Sequence, residues 1–579
     1  MKLNKYTAAL VCATILMISS CGEDYLFKAP QGSVSKEVLS TPAGADMLVT
    51  AAYGIFTQTG WGASIFNWTF GGIYGGDANK GSDAGDQAVL NDMETYVIAS
   101  TNTYLTEKWR WVYRGSKRVE IALQLLDDVD MDANLKKTRQ GELYFLRALF
   151  YFEGVKVFGP YMPYLDETNK ENDPKVYNDK DIYPNILADI DKAIANLPNK
   201  PADLGRTYAW AAKALKAKIL MQQGKMAEAK PILADVINNG STASGLKYAL
   251  VDDYTDNWKT SMDNKSSESI FEIQFSNDGN DNGNPGMSLC YPHNGGPGGC
   301  CGFYQPSFDL VNSFLVDDNG LPFLNGEYKT KPGATVLTPG GSAISENNAT
   351  VPIDPRLDFS VGRIGIPYKD YGPAKDWVRD VMNGGPFMPK KHVYYASEEG
   401  TTGRGGMSGG WAPGSAMNIQ YLSLRDAMLL YAECLANDGD LAGAMGYVNR
   451  IRARAAKPVN VIKHADGTPA ANYKVAEYPA SHAAFTDKDV CIKAVRMERK
   501  LELAMEGQRW FDLARWGGSY MNQAIREYLE YERQFIPKFN GVTPLAPEKT
   551  MFPIPLGQIT TMGNDESGKP YLVQPGPWK

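Results

Sequence analysis

Four histidines, His293, His392, His464 and His482, are the only imidazoles in this chain of 579 residues, and no two sit at i,i+4 or in an H-E-x-x-H run. The spacing that would set two imidazoles on one helix face for zinc is therefore missing. Phosphate-cradling loops are missing too, because neither Gly224-Lys225 nor Gly568-Lys569 is followed by Ser or Thr. Gly406-Met407-Ser408-Gly409-Gly410 fits G-x-S-x-G, but it lies in a glycine tract rather than at a strand-to-helix elbow, so no activated serine is expected. Asp77-Ala78-Asn79-Lys80-Gly81-Ser82-Asp83 opens like a calcium loop, yet Ala88 stands where the bidentate Glu belongs. That excludes an EF-hand and leaves an irregular Ca²⁺ site open without predicting one; no cofactor and no metal are expected. Asp and Glu are abundant enough that paired carboxylates at glycosidase separation stay an alternative.

Net charge is −7, with no dense block of Lys and Arg, so the electrostatic footprint of a nucleic-acid binder is absent. The chain carries 11 Trp and 32 Tyr, many in Gly- and Asn-rich stretches where they cannot all be core. Exposed aromatic faces suit flat, weakly polar ligands. Seven cysteines are too few and too scattered for a disulfide scaffold. Cys434 and Cys491 fall on apolar faces of predicted helices, where buried inert thiols are expected. Cys300 and Cys301 are adjacent within Gly296-Pro297-Gly298-Gly299 and Gly302. In an oxidising compartment they would close a vicinal disulfide; two free thiols, or one bridge to Cys290, are the alternatives.

The elements that must position these residues begin with a leader. Lys2 and Lys5 precede an apolar run from Ala8 to Ser19 that ends in Ile18-Ser19-Ser20-Cys21. A dozen apolar residues fall short of the roughly 20 that span a bilayer, so residues 1–20 are expected to be a signal peptide. Small residues before a cysteine resemble the bacterial lipoprotein cleavage box, with Cys21 as the lipidated residue and Cys12 lost with the leader. Gly22-Glu23-Asp24 resembles the acidic surface-export signal of Bacteroidetes lipoproteins. An ordinary secretory signal containing a chance cysteine is the alternative.

Periodic apolar stretches at Trp109–Val129, Leu135–Val157, Ile182–Leu197 and Thr207–Asn238 predict a first helical block, and Tyr421–Tyr531 a second. Between them lie β-like runs such as Ser269–Phe275 in loops crowded with Gly, Pro, Asn and Asp. The two blocks match each other at a constant offset of 215. Ala217, Leu220, Gly224, Ala227, Ala229 and Leu233 align with Ala432, Leu435, Gly439, Ala442, Ala444 and Val448, and Leu215 with Leu430. Helix, Gly turn and small-residue helix resemble the tetratricopeptide (TPR) repeat, whose units must stack. Further degenerate helix pairs are predicted around Trp109–Phe158 and Val490–Arg515.

Longer motifs then resemble one family. They are Gln140–Phe152 with Val157-Phe158-Gly159-Pro160; Tyr421–Glu433 with Val448–Ala455; Glu498–Gly517; and Phe552-Pro553-Ile554-Pro555 with Gln574-Pro575-Gly576-Pro577-Trp578. In this order they resemble the SusD/RagB-like lipoproteins, although the last departs from the family's usual Gln-Asn-Pro-Gly-Trp. The expected fold is mainly α, a TPR-like helix-pair solenoid with a loop-rich irregular subdomain containing short β-strands. The expected organisation is 21–240 and 421–579 as helical regions of one scaffold, with 241–420 as the loop-rich part. Within Glu498–Trp516, Arg499, Glu502, Glu506, Arg509, Asp512 and Arg515 are expected to pair at helical i,i+3 and i,i+4 spacing and to lock helices together.

The resemblance implies a non-catalytic surface protein that captures an oligosaccharide and serves as lid on a SusC-like TonB-dependent outer-membrane transporter. It also implies a glycan site in loops near the N-terminal helices and the irregular middle. Trp61 and Trp68 are candidates there, against a core role, as are Asp77 and Asn79, against an Asx turn. Tyr291, Cys300, Cys301 and Tyr304 form a second cluster. Arg363, Trp377, Tyr394, Tyr395 and Trp411 form a third, after the family-like turn Asp354-Pro355-Arg356-Leu357-Asp358, with Arg363 and Tyr395 as polar contacts and, for Trp377 and Trp411, covering the core or facing the transporter as the alternatives. The competing readings are a transporter lid or peptide-capturing partner without a sugar site and, last, a surface glycoside hydrolase.

Overall fold

The computed structural model describes residues 36–57, 60–169, 175–276, 283–337, 344–346, 348–400, 403–407 and 412–579. The helices that build the scaffold are α1 (Pro42–Tyr53), α2 (Thr103–Asp128), α3 (Ala133–Phe158), α4 (Tyr183–Asn196), α5 (Ala209–Gln222) and α6 (Met226–Asn239). After the middle segment come α7 (Leu424–Asp438), α8 (Leu441–Ala455), α9 (Lys488–Glu502), α10 (Arg509–Arg515) and α11 (Gly518–Glu532). Several begin where the sequence offers a side chain to an orphan N–H. Asn102 caps α2, Asp132 caps α3, Ser423 caps α7 and Asp487 caps α9, each accepting from a backbone N–H of the first turn.

Packing follows chain order from α1 to α6, and α6 then packs directly on α7. The α5/α6 and α7/α8 pairs begin 215 residues apart, at Ala209 and Leu424 and at Met226 and Leu441. Ala217, Ala229, Ala432 and Ala444 are fully buried, and their missing side-chain bulk lets the helices of each pair approach. The turns need glycine for its backbone: Gly224 has φ +72° and Gly439 φ +86°, with open space around each Cα. The fold is mainly α, a TPR-like stack of helix pairs carrying a loop-rich segment with short two-stranded sheets. Among the described residues no helix is long and apolar enough to cross a membrane.

The predicted helix pair at Val490–Arg515 does not form. After Glu502 the chain leaves the helix, and Met505 and Gly507 take φ +62° and +66°. The reason is close contact: a Cβ at Gly507 would stand 1.9 Å from the Phe66 carbonyl oxygen, and one at Gly71 would stand 1.7 Å from the Gly507 oxygen. Helix α9 packs on α7 and α8 instead, while the short α10 packs on α11 and the 68–73 turn. The charges of this motif therefore reach across elements. Of the expected local pairs, Arg515 to Asp512 is present at 2.8 Å, whereas Arg499 bridges Asp426 and Asp512 and Arg515 bridges Glu433.

A buried ionic network fastens the middle segment to the stack. Arg356 binds Asp354, Glu498 and Glu502; Arg452 binds Glu498; Arg454 binds Glu268 and Glu502. Arg425 reaches Glu268 and Glu506, and Lys391 reaches Glu506 at 2.7 Å. Each carboxylate thus meets a cation, which offsets the desolvation cost of burying both. Burial alone pushes the Glu502 carboxyl up, but Arg454 and Arg356 hold it down at about 2. Around this network one continuous apolar core runs from α1 to the C-terminal segment, and a small separate core forms around Tyr291, Tyr368, Met388, Val393 and Tyr394.

Candidate functional site

The loop that opens at Gly283 is held by indoles at its start. Trp61 donates its N–H to Ser288 Oγ at 3.0 Å, and Trp68 donates to the Gly286 carbonyl at 2.9 Å. Their surroundings differ. Trp61 is half-buried, whereas Trp68 is fully enclosed, edge-on to Phe303 and Tyr304. Trp68 is thus a core post whose ring has no face left for a ligand.

The segment 77–81 was expected to bear ligand contacts or an Asx turn, and it does neither. Strand β1 (Ala78–Gly81) pairs antiparallel with β3 (Phe303–Pro306), counting Ser269–Ile273 as β2. Asn79 is buried and accepts from the Tyr528 hydroxyl at 2.9 Å. Asp77 is 2% exposed, and burial pushes its carboxyl up to about 7. Tyr304, at φ +59°, is wholly buried as well. Arg363 is the clearest correction: its guanidinium is spent inside the protein, on both oxygens of Asp358 at 2.8 Å and on Glu346 and Asn348 at 2.6 Å.

What the β1–β3 pairing does is bring the 290s loop against the 82–86 turn. Ser82 N donates to the Gly302 carbonyl at 2.8 Å. Just before that glycine, Cys300 and Cys301 are joined as a disulfide between neighbours, Cys300 half-buried and Cys301 buried. Cys290 stays a free buried thiol, pushed up by burial. Its carbonyl oxygen meets Nε2 of His392, whose imidazole burial holds down at about 4. Tyr291 is buried under the loop, facing Tyr394 with centroids 6.1 Å apart.

Trp377 completes this surface. The half-buried ring lies edge-on to Tyr368 at 5.6 Å, and its carbonyl accepts from His293 N at 2.8 Å. Gly295 lies flat on the indole, where an added Cβ would stand 2.0 Å from Cγ. Two residues on, Arg379 is 38% exposed and binds Asp83 at 2.6 Å and Asp86 at 2.9 Å. His293 is held below the usual imidazole range by burial and then by Arg379, and Asn294 Nδ2 lies 2.9 Å from its Nε2. The outcome is an aromatic ring on one loop and a disulfide on the loop packed against it, flanked by a guanidinium, two carboxylates and an amide. Arg379, Asp86 and Asn294 were not picked out from sequence, and Asp83 and His293 were weighed there only as metal ligands, although the spacing of Arg379 from Trp377 was a usable signal.

Tyr395 belongs elsewhere. It lines a cavity with Tyr254, Trp258, Lys369 and Lys390. Trp411, Cys21, the leader 1–20 and most of the Gly406–Gly410 tract lie outside the described residues. No cluster of His, Cys, Asp and Glu suited to a metal ion occurs among the described residues.

Stacked helix pairs that present such a loop-borne surface define a TPR-like scaffold for binding. The chain belongs to the SusD family, which it matches over residues 267–567; residues 72–221 also match a family described as starch-binding and associating with the outer membrane. A SusD-like protein of Bacteroides ovatus is 21% identical over 536 residues, which cover 88% of this chain and 82% of that protein. The crystal structure of a SusD superfamily protein from Bacteroides vulgatus superposes with TM-score 0.63 at 18% identity, covering 93% of this chain and 99% of that one. Surface glycan-binding protein A from Bacteroides thetaiotaomicron, in complex with laminarihexaose, gives TM-score 0.60 at 18% identity, covering 92% and 99%. These likenesses establish the fold.

Proposed function

We propose that this chain is a non-catalytic lipoprotein of the outer-membrane surface, anchored through Cys21, that binds an oligosaccharide on the surface formed by Trp377, Cys300–Cys301 and Arg379. It passes the ligand to a SusC-like TonB-dependent transporter. The observation that carries this reading is the half-buried Trp377 ring beside the Arg379–Asp83–Asp86 cluster. A pyranose offers an apolar C–H face and a rim of hydroxyls, so it needs a flat ring plus charged hydrogen-bonding groups at its edge. Family membership and the laminarihexaose complex of a protein with the same fold support a sugar as the ligand. The disulfide adds a second flat, polarizable patch, and Trp61 supports the loop from below.

One observation favours the partner reading as well. A groove of about 500 Å³ runs along α2, lined by Trp109, Tyr113, Arg110, Arg114, Met562 and Leu572, and such a surface suits a protein segment. The test is affinity electrophoresis of the full chain against a panel of neutral and acidic polysaccharides, repeated with Trp377→Ala. Retardation by one polysaccharide that Trp377→Ala abolishes supports the sugar site. Silence across the panel, with the transporter still co-purifying, would leave the lid reading in its place.

A further inference from the structure

The cavity of about 240 Å³ behind Tyr395 has a composition unlike the rest of the protein. Its walls are aromatic, with Tyr254 and Trp258 buried and Tyr395 and Phe359 half-buried. Lys369, Lys390, Lys391 and Lys463 also line it, against a single carboxylate, Asp370. That carboxylate is turned away onto the backbone N–H groups of Ala396 and Ser397, at 2.6 and 2.9 Å.

The lysines are not equivalent. Lys391 is neutralised, since its ammonium donates to Glu506 at 2.7 Å and to the Glu502 and Ala504 carbonyls at 2.9 and 3.0 Å, which uses all three protons. It belongs to the buried network, in which the five cations Lys391, Arg356, Arg425, Arg452 and Arg454 face five carboxylates, Asp354, Glu268, Glu498, Glu502 and Glu506. The cavity floor is therefore balanced without the other lysines.

Lys369 and Lys390 are in excess of it. Among the described residues neither has a carboxylate within ion-pairing distance. Lys390 is 3% exposed and donates to the backbone carbonyls of Asp358 and Pro367. Lys369 donates to the carbonyls of Val393 and Lys391 and lies 4.5 Å from the Tyr395 ring centroid. Among the described residues each ammonium thus has two backbone acceptors for its three protons. Burying a charge without a counter-ion is costly, and burial holds Lys369 down at about 7 and Lys390 at about 8.

We propose that this cavity is a second binding site, which takes an oxyanion carried on a single sugar ring, the anion between Lys369 and Lys390 and the ring against Tyr395 and Trp258. The volume is below the roughly 300–1,000 Å³ of sites for drug-sized ligands, so one residue fits rather than a chain. Carboxylate of a uronic acid and sulfate ester of a hexose present the same chemistry here. The anion site stands on the lysines alone; that its carrier is a sugar rests on the glycan reading.

The test is isothermal titration calorimetry of the full chain with D-glucuronate, galactose 6-sulfate, inorganic sulfate and glucose. The acidic sugars bind at least tenfold more tightly than glucose, and their ranking tells carboxylate from sulfate ester. Lys369→Met and Lys390→Met each weaken the acidic sugars at least tenfold and leave binding of a neutral oligosaccharide at Trp377 unchanged. Should the methionine variants fail to fold, Lys369→Arg and a buffer comparison take their place. At pH 8 binding takes up protons, because the anion returns the proton to Lys369 and Lys390, and affinity falls as pH rises through 7–8. The groups facing Lys369 are Glu398, Asp370, Lys390 and Lys259, and those facing Lys390 are Asp358 and Arg363. Acidic sugars binding no better than glucose, or equally well to both methionine variants, overturn the proposal. Inorganic sulfate binding as tightly as galactose 6-sulfate overturns the sugar carrier. Loss of neutral-oligosaccharide binding in Trp377→Ala, with glucuronate binding intact, keeps the two sites distinct.

Discussion

Lys218 in α5 holds Asp426 in α7 at 2.7 Å, an ion pair between residues 208 positions apart, with both side chains largely buried. Asp426 also accepts from Arg499 at 2.9 Å, so one carboxylate ties together helices α5, α7 and α9. Burial pushes that carboxyl up, yet Lys218 and Arg499 hold it well below the usual carboxylate range.

Asp426→Ala strands Lys218 and leaves Arg499 with Asp512 alone, and should destabilise the fold by about 3–5 kcal/mol. Lys218→Met leaves Asp426 with Arg499 and should cost less than half of that. Denaturant unfolding of both variants checks the order, and equal losses would show that the carboxylate does not act as a shared clamp.

Arg356 donates through Nε and Nη2 to Asp354 and through Nη1 to Glu498 and Glu502. A lysine there keeps the charge and loses the fork. Arg356→Lys should lower stability by at least about 2 kcal/mol, which is more than most surface substitutions. A melting temperature within 1 °C of wild type, as ~0 kcal/mol would give, contradicts the network.

Glu532 lies buried beside Asp309, and burial pushes its carboxyl up to about 8. The folded chain therefore keeps a proton that the unfolded chain releases near pH 4.5. Between those values the folded state binds more protons, so this group's contribution to stability is lost as pH rises toward 8. Glu532→Gln mimics the protonated acid. It should raise the melting temperature relative to wild type at pH 8 and leave it nearly unchanged at pH 5; a pH-independent difference would falsify the assignment.

Gly295 and the disulfide both shape the surface around Trp377. Gly295→Ala places a methyl into the indole and should reduce affinity for a neutral oligosaccharide several-fold while far-UV circular dichroism stays the same. Replacing Cys300 and Cys301 together by Ser should also cut affinity several-fold, with the melting temperature almost unmoved. Native gel retardation reads both, and unaltered retardation would remove these residues from the site.

The helical stack was legible because Ala217, Gly224 and Ala229 recur as Ala432, Gly439 and Ala444, small residues whose spacing only close helix pairs require. The break after Glu502 was not, since nothing local marks Met505 as left-handed, and the Phe66 carbonyl that leaves no room for a side chain at Gly507 lies far earlier in the chain. Trp61 and Trp68 read alike in sequence, two Trp in one irregular stretch, and only tertiary packing separates the half-buried one from the core post. Arg363 misled for a related reason: an Arg in a Gly-rich loop suggests an exposed fork, but Asp358 five residues before it takes both prongs. Arg379 was hidden because its partners Asp83 and Asp86 lie almost 300 residues earlier in the chain.

The direct packing of α6 on α7 has a consequence for the order of assembly. Closing a loop from Asn239 to Leu424 is entropically slow compared with forming either helix pair. Until residues 424–438 arrive, the side of α6 now covered by Cys434 and Asp438 has no neighbour. Contacts inside each helix pair are local and need no such closure, so the joint between α6 and α7 is expected to close after the pairs on either side of it have formed.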